Sequence, residues 1–361
     1  MPHPPASDEL AALREELSSV DAALLEVVAR RSRCVAQIAA FKAREDVPAL
    51  DRARETAHLE AMLARGDALG LAEDLVRPLF AALFAASRAA QRRVRLDALP
   101  PLRVGIVGAT AGIGATLARV LARAGVEVEG TGLDAGAPAA ELAARSELVV
   151  LAVPIHVTCA VAAQVGPHVR PGACLMDVTS VKRAPLAAML AATSPEVDVV
   201  GAHPLFGPTA AADLEGRRVV LCPGRGEAWL PRVAKLFELL GAEVVEATAE
   251  EHDRHMAFGQ ALTQAKAIAL GATLAQAGVS LGRARALSTE TSRAELDTLV
   301  RLAAQRPGLF ADLLCENPAA ASACDALARE LAALAREAGE GDRDALVRRF
   351  ERAARVAVDG A

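Results

Sequence analysis

The hydrophobic period of this chain changes twice along its 361 residues, and no other feature narrows the possible folds as far. In residues 8–92 apolar side chains recur at helical spacing, with Leu13, Leu17, Val20, Leu24 and Val27 continuing into Val35 and Ile38. The spacing predicts one helix from Asp8 to Arg44. Such a helix far exceeds the roughly 11–12 residues of an average globular helix, so a partner is expected along its length. Pro48 ends it. A second helix is expected over Asp51–Arg65 and a third over Ala72–Arg93, with Gly66 and Gly70 between them.

The stretch RRVRLDALPPLR is charged and carries Pro100 and Pro101, which marks a linker at 95–102. Beyond it, short β-rich runs alternate with helical segments: RVGIVG, VEVEG, ELVVLAV, ACLMDV, VDVVGA, RRVVLC and AEVVEA, ending near Ala247. Repetition of strand and helix predicts a mostly parallel sheet covered on both faces. After Glu250 the pattern is helical again, rich in Ala and Leu, and suits a dimerisation domain.

Net charge of -5 without a broad basic field argues against a nucleic-acid partner. The start has no basic region followed by an apolar stretch, and no run of about 18 uncharged apolar residues occurs, so no membrane association is expected and the chain is placed in the cytoplasm. The six cysteines are scattered without a CxxC pair and read as reduced core residues. His252 and His255 stand at i and i+3 but lack cysteine partners, so no metal site is expected.

Cations occupy positions where a helical core would be apolar. Arg31, Val35, Ile38 and Lys42 lie within about 40° of one another around the first helix. For an isolated cation, a solvated, snorkelling side chain is the ordinary reading. Here other polar groups share the arrangement: Asp51, Arg54 and Glu55 cluster at i, i+3 and i+4, and Ser87 and Gln91 continue the stripe of Phe80 and Phe84. Over about 85 residues these positions resemble the all-helical chorismate mutase family. The resemblance implies that Arg14 crosses to the active site of the other subunit of an intertwined dimer. It also implies that Arg14, Arg31 and Arg54 hold substrate carboxylates, that Lys42 and Gln91 donate to the ether oxygen, and that Asp51, Glu55 and Ser87 complete the pocket. Converting chorismate to prephenate is a pericyclic rearrangement without proton transfer, so orienting a dianion and stabilising charge on the departing oxygen suffices.

The first strand-to-helix turn, GIVGATAGIGATLARVLARAG, places Gly108, Gly112, Ile113 and Gly114 where a helix N-terminus would meet a pyrophosphate. A glycine-rich turn can equally serve close packing alone. Ala109 and Ala111 replace glycines of the usual GxGxxG, and the GxxxGxG spacing is similar to that of short-chain dehydrogenases. That family needs a catalytic YxxxK, which a chain without tyrosine cannot supply. On the second strand Gly132 stands where an acidic ribose-binding residue is expected, with Asp134 two residues later as a substitute. No Arg or Lys lies between Arg123 and Arg145 to neutralise the extra phosphate of NADP, so NAD is expected. The expected fold class is multidomain: an all-α three-helix domain over 1–94, an α/β Rossmann-like dinucleotide-binding domain over 103–249 and an all-α dimerisation domain over 250–361.

LAVPIHVT at 151–158, DVTSVKRAPL at 177–186, GAHPLFGP at 201–208, EEHDRHMAF at 250–258 and LSTETSRAEL at 287–296 together resemble prephenate dehydrogenase. The resemblance implies that His203 accepts a hydrogen bond from the substrate's ring hydroxyl and takes its proton as hydride leaves, a task that suits a histidine with pKa near neutrality. It implies that Ser180 orients that hydroxyl, that Lys182 and His252 lie at the substrate, that Arg293 pairs with a carboxylate and that Val153 and Pro154 border the cofactor. Gln264 stands where relatives carry a histidine linked to substrate or tyrosine recognition, and His156 and His255 read as structural. Chorismate and prephenate are the expected substrates of a homodimer. Arogenate or an amino analogue of prephenate, with the helical domain as a ligand-sensing module, is the alternative.

Overall fold

The computed structural model describes residues 6–45, 47, 51–132, 137–208 and 214–359. Pro48 and Asp134 therefore lie outside the described residues. Three helices come first: α1 (Ala6–Arg44), α2 (Arg52–Ala68) and α3 (Glu73–Asp97). At a rise of about 1.5 Å per residue, the 39 residues of α1 extend about 58 Å. Its second half packs on α3 with the chains running the same way: Arg31 reaches Leu83 and Ser87, and Arg95 donates to the carbonyls of Lys42 and Val47.

Two local details differ from the sequence reading. Asp51 precedes α2 rather than lying on it, and its carboxylate caps the helix by accepting the Arg54 N–H at 2.9 Å. Gly66 lies inside α2, because a Cβ there would sit 2.7 Å from Val76 Cγ2; the missing side chain lets α3 approach. α3 also continues to Asp97, well into the charged stretch.

The sheet follows, with β1 (Arg103–Val107), α4 (Gly112–Arg123), β2 (Glu127–Thr131), α5 (Ala137–Arg145), β3 (Leu148–Leu151), α6 (Ile155–Val165), β4 (Cys174–Asp177), α7 (Arg183–Ala192), β5 (Asp198–Pro204), β6 (Arg218–Arg225), α8 (Trp229–Leu239) and β7 (Glu243–Glu246). Its seven strands run in the order β2-β1-β3-β4-β5-β6-β7, and every pairing is parallel except β5 with β6. β3 and β4 are buried on both faces, as parallel strands covered by helices require. The strand order reverses between β1 and β3, so the crevice beyond their carboxyl ends is where such sheets bind ligands.

Helices complete the chain: α9 (Ala249–Met256), a π-helical turn (Ala257–Leu262), α10 (Thr263–Gln276), α11 (Leu281–Ala286), α12 (Glu290–Ala303), α13 (Pro307–Glu316), α14 (Ala320–Glu340) and α15 (Arg343–Asp359). Thr248 caps α9 by accepting the Glu251 N–H, the pattern in which Thr and Glu stand three residues apart. Among the described residues no helix is long and apolar enough to cross a membrane. The expectation of six core cysteines fails: Cys174 and Cys222 are buried, Cys159 and Cys324 are half-buried, and Cys34 and Cys315 are exposed. Cys34 and Cys315 lie on helices, where an apolar neighbourhood in sequence faces outward as often as inward.

The glycines after β1 differ in what they permit. A Cβ at Gly114 would stand 2.2 Å from the Gly108 carbonyl oxygen, whereas at Gly112 nothing lies within 4 Å. Gly114→Ala is therefore expected to lower the melting temperature by several degrees more than Gly112→Ala, whose cost is only that of a side chain at φ +59°, about 1 kcal/mol. Differential scanning calorimetry of the two variants checks the order.

Candidate active sites

The helical domain brings several polar side chains into contact across its helices. Arg31 donates from Nη1 to Ser87 Oγ at 2.8 Å and to the Leu83 carbonyl at 3.2 Å. Ser87 in turn donates to the Leu83 carbonyl at 2.7 Å, so its hydroxyl is held against α3. Lys42 and Arg54 line one open cavity of about 490 Å3 together with Cys34, Gln37, Ile38, Phe41 and Val47. Glu55 accepts from Arg88, one residue beyond Ser87. The Gln91 amide oxygen is buried without a hydrogen-bond partner among the described residues, a polar atom left for a ligand to meet.

Arg14 is not brought to this cluster. It lies seventeen residues before Arg31 on the same helix, about 25 Å along the axis. Within one chain it cannot share the pocket.

At the sheet, the glycine turn follows β1 and Val153 and Pro154 follow β3, so both flank the crevice at the strand-order reversal. Gly108 adopts φ +93°, and a Cβ there would lie 2.4 Å from the Ala152 carbonyl oxygen and 3.2 Å from Val153 Cγ1. Close packing thus explains Gly108 and Gly114. Gly112, at the start of α4, faces open space, and Ala111 supplies no side-chain cap to the first N–H groups of the helix. Uncapped N–H groups beside an open glycine suit a pyrophosphate. Ile113 packs its side chain on the core beneath. Arg145 is engaged by Glu129 on β2, with Nε at 2.8 Å from its carboxylate.

The decisive geometry lies at the end of β5. His203, 3% exposed, places Nδ1 2.8 Å from His252 Nε2, and His252 Nδ1 lies 2.8 Å from Asp253 Oδ1. The Asp253 carboxylate also accepts the backbone N–H of Lys182 at 2.7 Å and of Arg183 at 3.0 Å. Asn317, from the end of α13, donates to the Asp253 carbonyl at 2.9 Å. Burial by itself would raise the Asp253 carboxyl, but the hydrogen bonds from His252, Arg183 and Lys182 outweigh it and hold the group below its ordinary value. An ionised carboxylate only accepts, so His252 Nδ1 carries a proton. With His203 in its base form and His252 Nε2 accepting from His203 Nδ1–H, His203 Nε2 is left with its lone pair. This tautomer follows from the network rather than from observed hydrogens.

Burial, reinforced by His252 and Lys182, lowers His203 well below 6.5. The near-neutral titration expected from the sequence is therefore corrected: the imidazole is held in its base form because charging it would require solvating a cation at a buried site. Lys182 and His252 are both engaged by other groups of the protein. Lys182 is fully buried, and its ammonium is taken by Asp177 and by the Ala202 carbonyl at 2.7 Å. His252, 2% exposed, stands behind His203.

Ser180 is half-buried on the loop between β4 and α7 that also carries Lys182. Arg293 is exposed on α12, where it donates to the Arg285 carbonyl, and none of its hydrogen bonds joins the His203 cluster. Among the other histidines, His156 bonds Asp312 at 2.8 Å, linking α6 to α13, and His255 is exposed. The Gln264 amide oxygen is buried without a hydrogen-bond partner among the described residues.

Sequence reading missed Asp253, Asp177 and Thr116. Asp253 and Asp177 stand inside the quoted motifs EEHDR and DVTSVK, where a carboxylate beside a histidine or lysine was the available signal. Thr116 donates to the Pro208 carbonyl at 2.7 Å and so ties α4 to the HPLFGP loop; nothing in the sequence points to it.

Together the parts define a dinucleotide-dependent dehydrogenase with a buried, hydrogen-bonded histidine pair at the sheet, carrying an additional helical domain with its own cationic pocket. Known proteins place it further. Residues 13–92 match the family model of chorismate mutase type II. Residues 117–246 match that of the prephenate dehydrogenase nucleotide-binding domain, and residues 248–352 that of the prephenate dehydrogenase dimerization domain. The T-protein of Enterobacter agglomerans is 35% identical over 312 residues, covering 86% of this chain and 82% of that protein. The 4-amino-4-deoxyprephenate dehydrogenase of Streptomyces pristinaespiralis is 33% identical over 273 residues, 69% of this chain and 88% of that one. A prephenate dehydrogenase from A. aeolicus, crystallised with hydroxyphenyl propionate and NAD+, shares the fold at a TM-score of 0.60 and 21% identity, covering 73% of this chain and 99% of that one. The chain belongs to the T-protein family, the bifunctional chorismate mutase/prephenate dehydrogenases of tyrosine biosynthesis.

Because His203 titrates below its ordinary range, kcat/KM for prephenate oxidation is expected to hold level as pH falls through 6.5 and to decline only at lower pH. A pH–rate profile with its acid limb at or above 6.5 would contradict this.

Proposed function

We propose that the two reactions occupy the two clusters described, with roles as follows. In the helical domain, Arg31 and Arg54 hold the carboxylates of chorismate, and Lys42 and Gln91 donate to the ether oxygen as its bond breaks. Asp51, Glu55 and Ser87 complete the pocket, Asp51 through its hold on the start of α2. The rearrangement moves no proton, so fixed cations that match the charge of the transition state account for the rate.

Arg14 serves the pocket of a second subunit. Leu13, Leu17, Val20 and Leu24 on the same stretch of α1 are 57%, 60%, 59% and 51% exposed, and apolar area of that extent in one stripe calls for a covering protein surface. The match of residues 248–352 to a dimerization domain gives independent support for a homodimer.

In the dehydrogenase, Gly108, Gly112, Ile113 and Gly114 form the turn that receives the NAD pyrophosphate, bordered by Val153 and Pro154. Asp134 takes the ribose hydroxyls. Bound NAD supplies the hydride acceptor. His203 Nε2 accepts the proton of the ring hydroxyl of prephenate as the ring loses a hydride, and returns it to that oxygen as carbon dioxide departs and the ring becomes aromatic, leaving 4-hydroxyphenylpyruvate. Ser180 orients the hydroxyl and Arg293 pairs with a carboxylate. The chain Asp253–His252–His203 carries this reading, because it leaves the lone pair on the outer nitrogen and gives the imidazolium formed during reaction a carboxylate two residues behind it.

Three results test these roles. Lys42→Ala should abolish mutase activity while NADH formation from added prephenate persists, and His203→Asn should do the reverse; loss of both activities in a folded variant would refute separate sites. Asp253→Asn should lower dehydrogenase kcat on the order of 10²- to 10³-fold, since the amide no longer dictates the tautomer. Assays with chorismate, prephenate and arogenate, each with NAD and with NADP, decide the substrate. Reduction with arogenate alone would replace prephenate, and the similarity to a 4-amino-4-deoxyprephenate dehydrogenase makes an amino analogue the second compound to assay.

A further inference from the structure

Among the described residues, four charged side chains meet where the helical domain joins the sheet. Arg88 on α3 donates from Nε to Glu215 Oε1 at 2.7 Å, and its Nη1 donates to Glu55 on α2. Arg92, one turn further along α3, donates to the other oxygen of Glu215. The side chains of Arg88 and Arg92 are only 19% and 11% exposed, so these contacts are screened far less than surface pairs.

Glu215 does not belong to the helical domain. It stands just before β6, and the residues around it are anchored to the sheet's own core. Leu214 is fully buried and donates its N–H to the Leu240 carbonyl, while Arg217 N–H returns to the Leu214 carbonyl. Gly241, at φ +103°, leaves room for this approach: a Cβ there would stand 2.9 Å from Glu215 N and 3.2 Å from Arg92 Cζ. Both the position of Glu215 and the seat of Arg92 are therefore set by the dinucleotide-binding domain.

We propose that Glu215 is a positioning residue for the mutase, acting through Arg88 on Glu55. This rests on the reading of Glu55 as part of the mutase pocket. A guanidinium offers two edges, and here one holds Glu215 while the other holds Glu55. Glu55 is thereby neutralised beside a pocket that must receive a dianion, and its carboxylate is fixed in direction. Without the charge of Glu215, Arg88 turns wholly onto Glu55 and draws the carboxylate out of its place. The dehydrogenase domain thus completes the wall of the mutase site.

The test measures mutase and dehydrogenase activities of the full chain carrying Glu215→Gln, Glu55→Gln or both. Glu215→Gln should lower mutase kcat/KM about fivefold and leave NADH formation from added prephenate within about twofold of the parent. On the Glu55→Gln background it should cause no further loss, because the residue it acts through is already gone. Unchanged mutase activity in Glu215→Gln overturns the proposal. So do losses that multiply in the double variant, or a parallel fall of both activities, each of which marks a general loosening of the interface. If Glu55→Gln alone leaves the mutase unaffected, the placement of Glu55 in the pocket is wrong and the proposal falls with it.

Discussion

The carboxylate of Asp253 joins the C-terminal helical domain to the sheet domain. It sits on the first helix of the C-terminal helical domain, yet two of its partners are the backbone N–H groups that open α7 of the sheet domain. Its third partner is His252, through which it reaches His203 at the end of β5. Burying a carboxylate is costly unless hydrogen bonds compensate it, and here the compensation requires two domains in register. Domain docking and the protonation state of the base are therefore one constraint.

A second buried charge reinforces the first. Lys182, inaccessible to solvent, bonds Asp177 and the Ala202 carbonyl, and so pins the loop after β4 against β5 one residue from His203. Its positive charge also contributes to lowering His203. The loop after β4 and the end of β5 are thus held together by buried charged groups. Removing one member of such a pair leaves an uncompensated buried charge, which costs about 3–5 kcal/mol and would be felt first at the catalytic loop.

Gly112 shows why the cofactor turn is legible only in part from its glycines. Gly108 and Gly114 are demanded by backbone approach within the domain, and only Gly112 is left open toward a ligand. Glycine spacing in the sequence mixes these two demands. The atypical GxxxGxG reads as an altered fingerprint, but the structure separates one open position from two packing positions.

The shift in hydrophobic period determined the three-part architecture from sequence alone, because side-chain burial repeats every 3.6 residues on a helix and alternates or runs together in strands. All seven expected strands form, and the polar residues set among apolar ones on α1 and α3 already marked a site. Sequence also singled out His203. It could not say that Lys182 and His252 face inward, that Asp253 orients them both, or that Glu215 reaches across to Arg88. Those relations join residues 49 to 127 positions apart, and hydrogen bonds of that kind depend on how domains close on one another. Local pattern fixes which face of an element is apolar; only the packed tertiary structure decides which charges are removed from water together, and hence which of them can act as base, support or bridge.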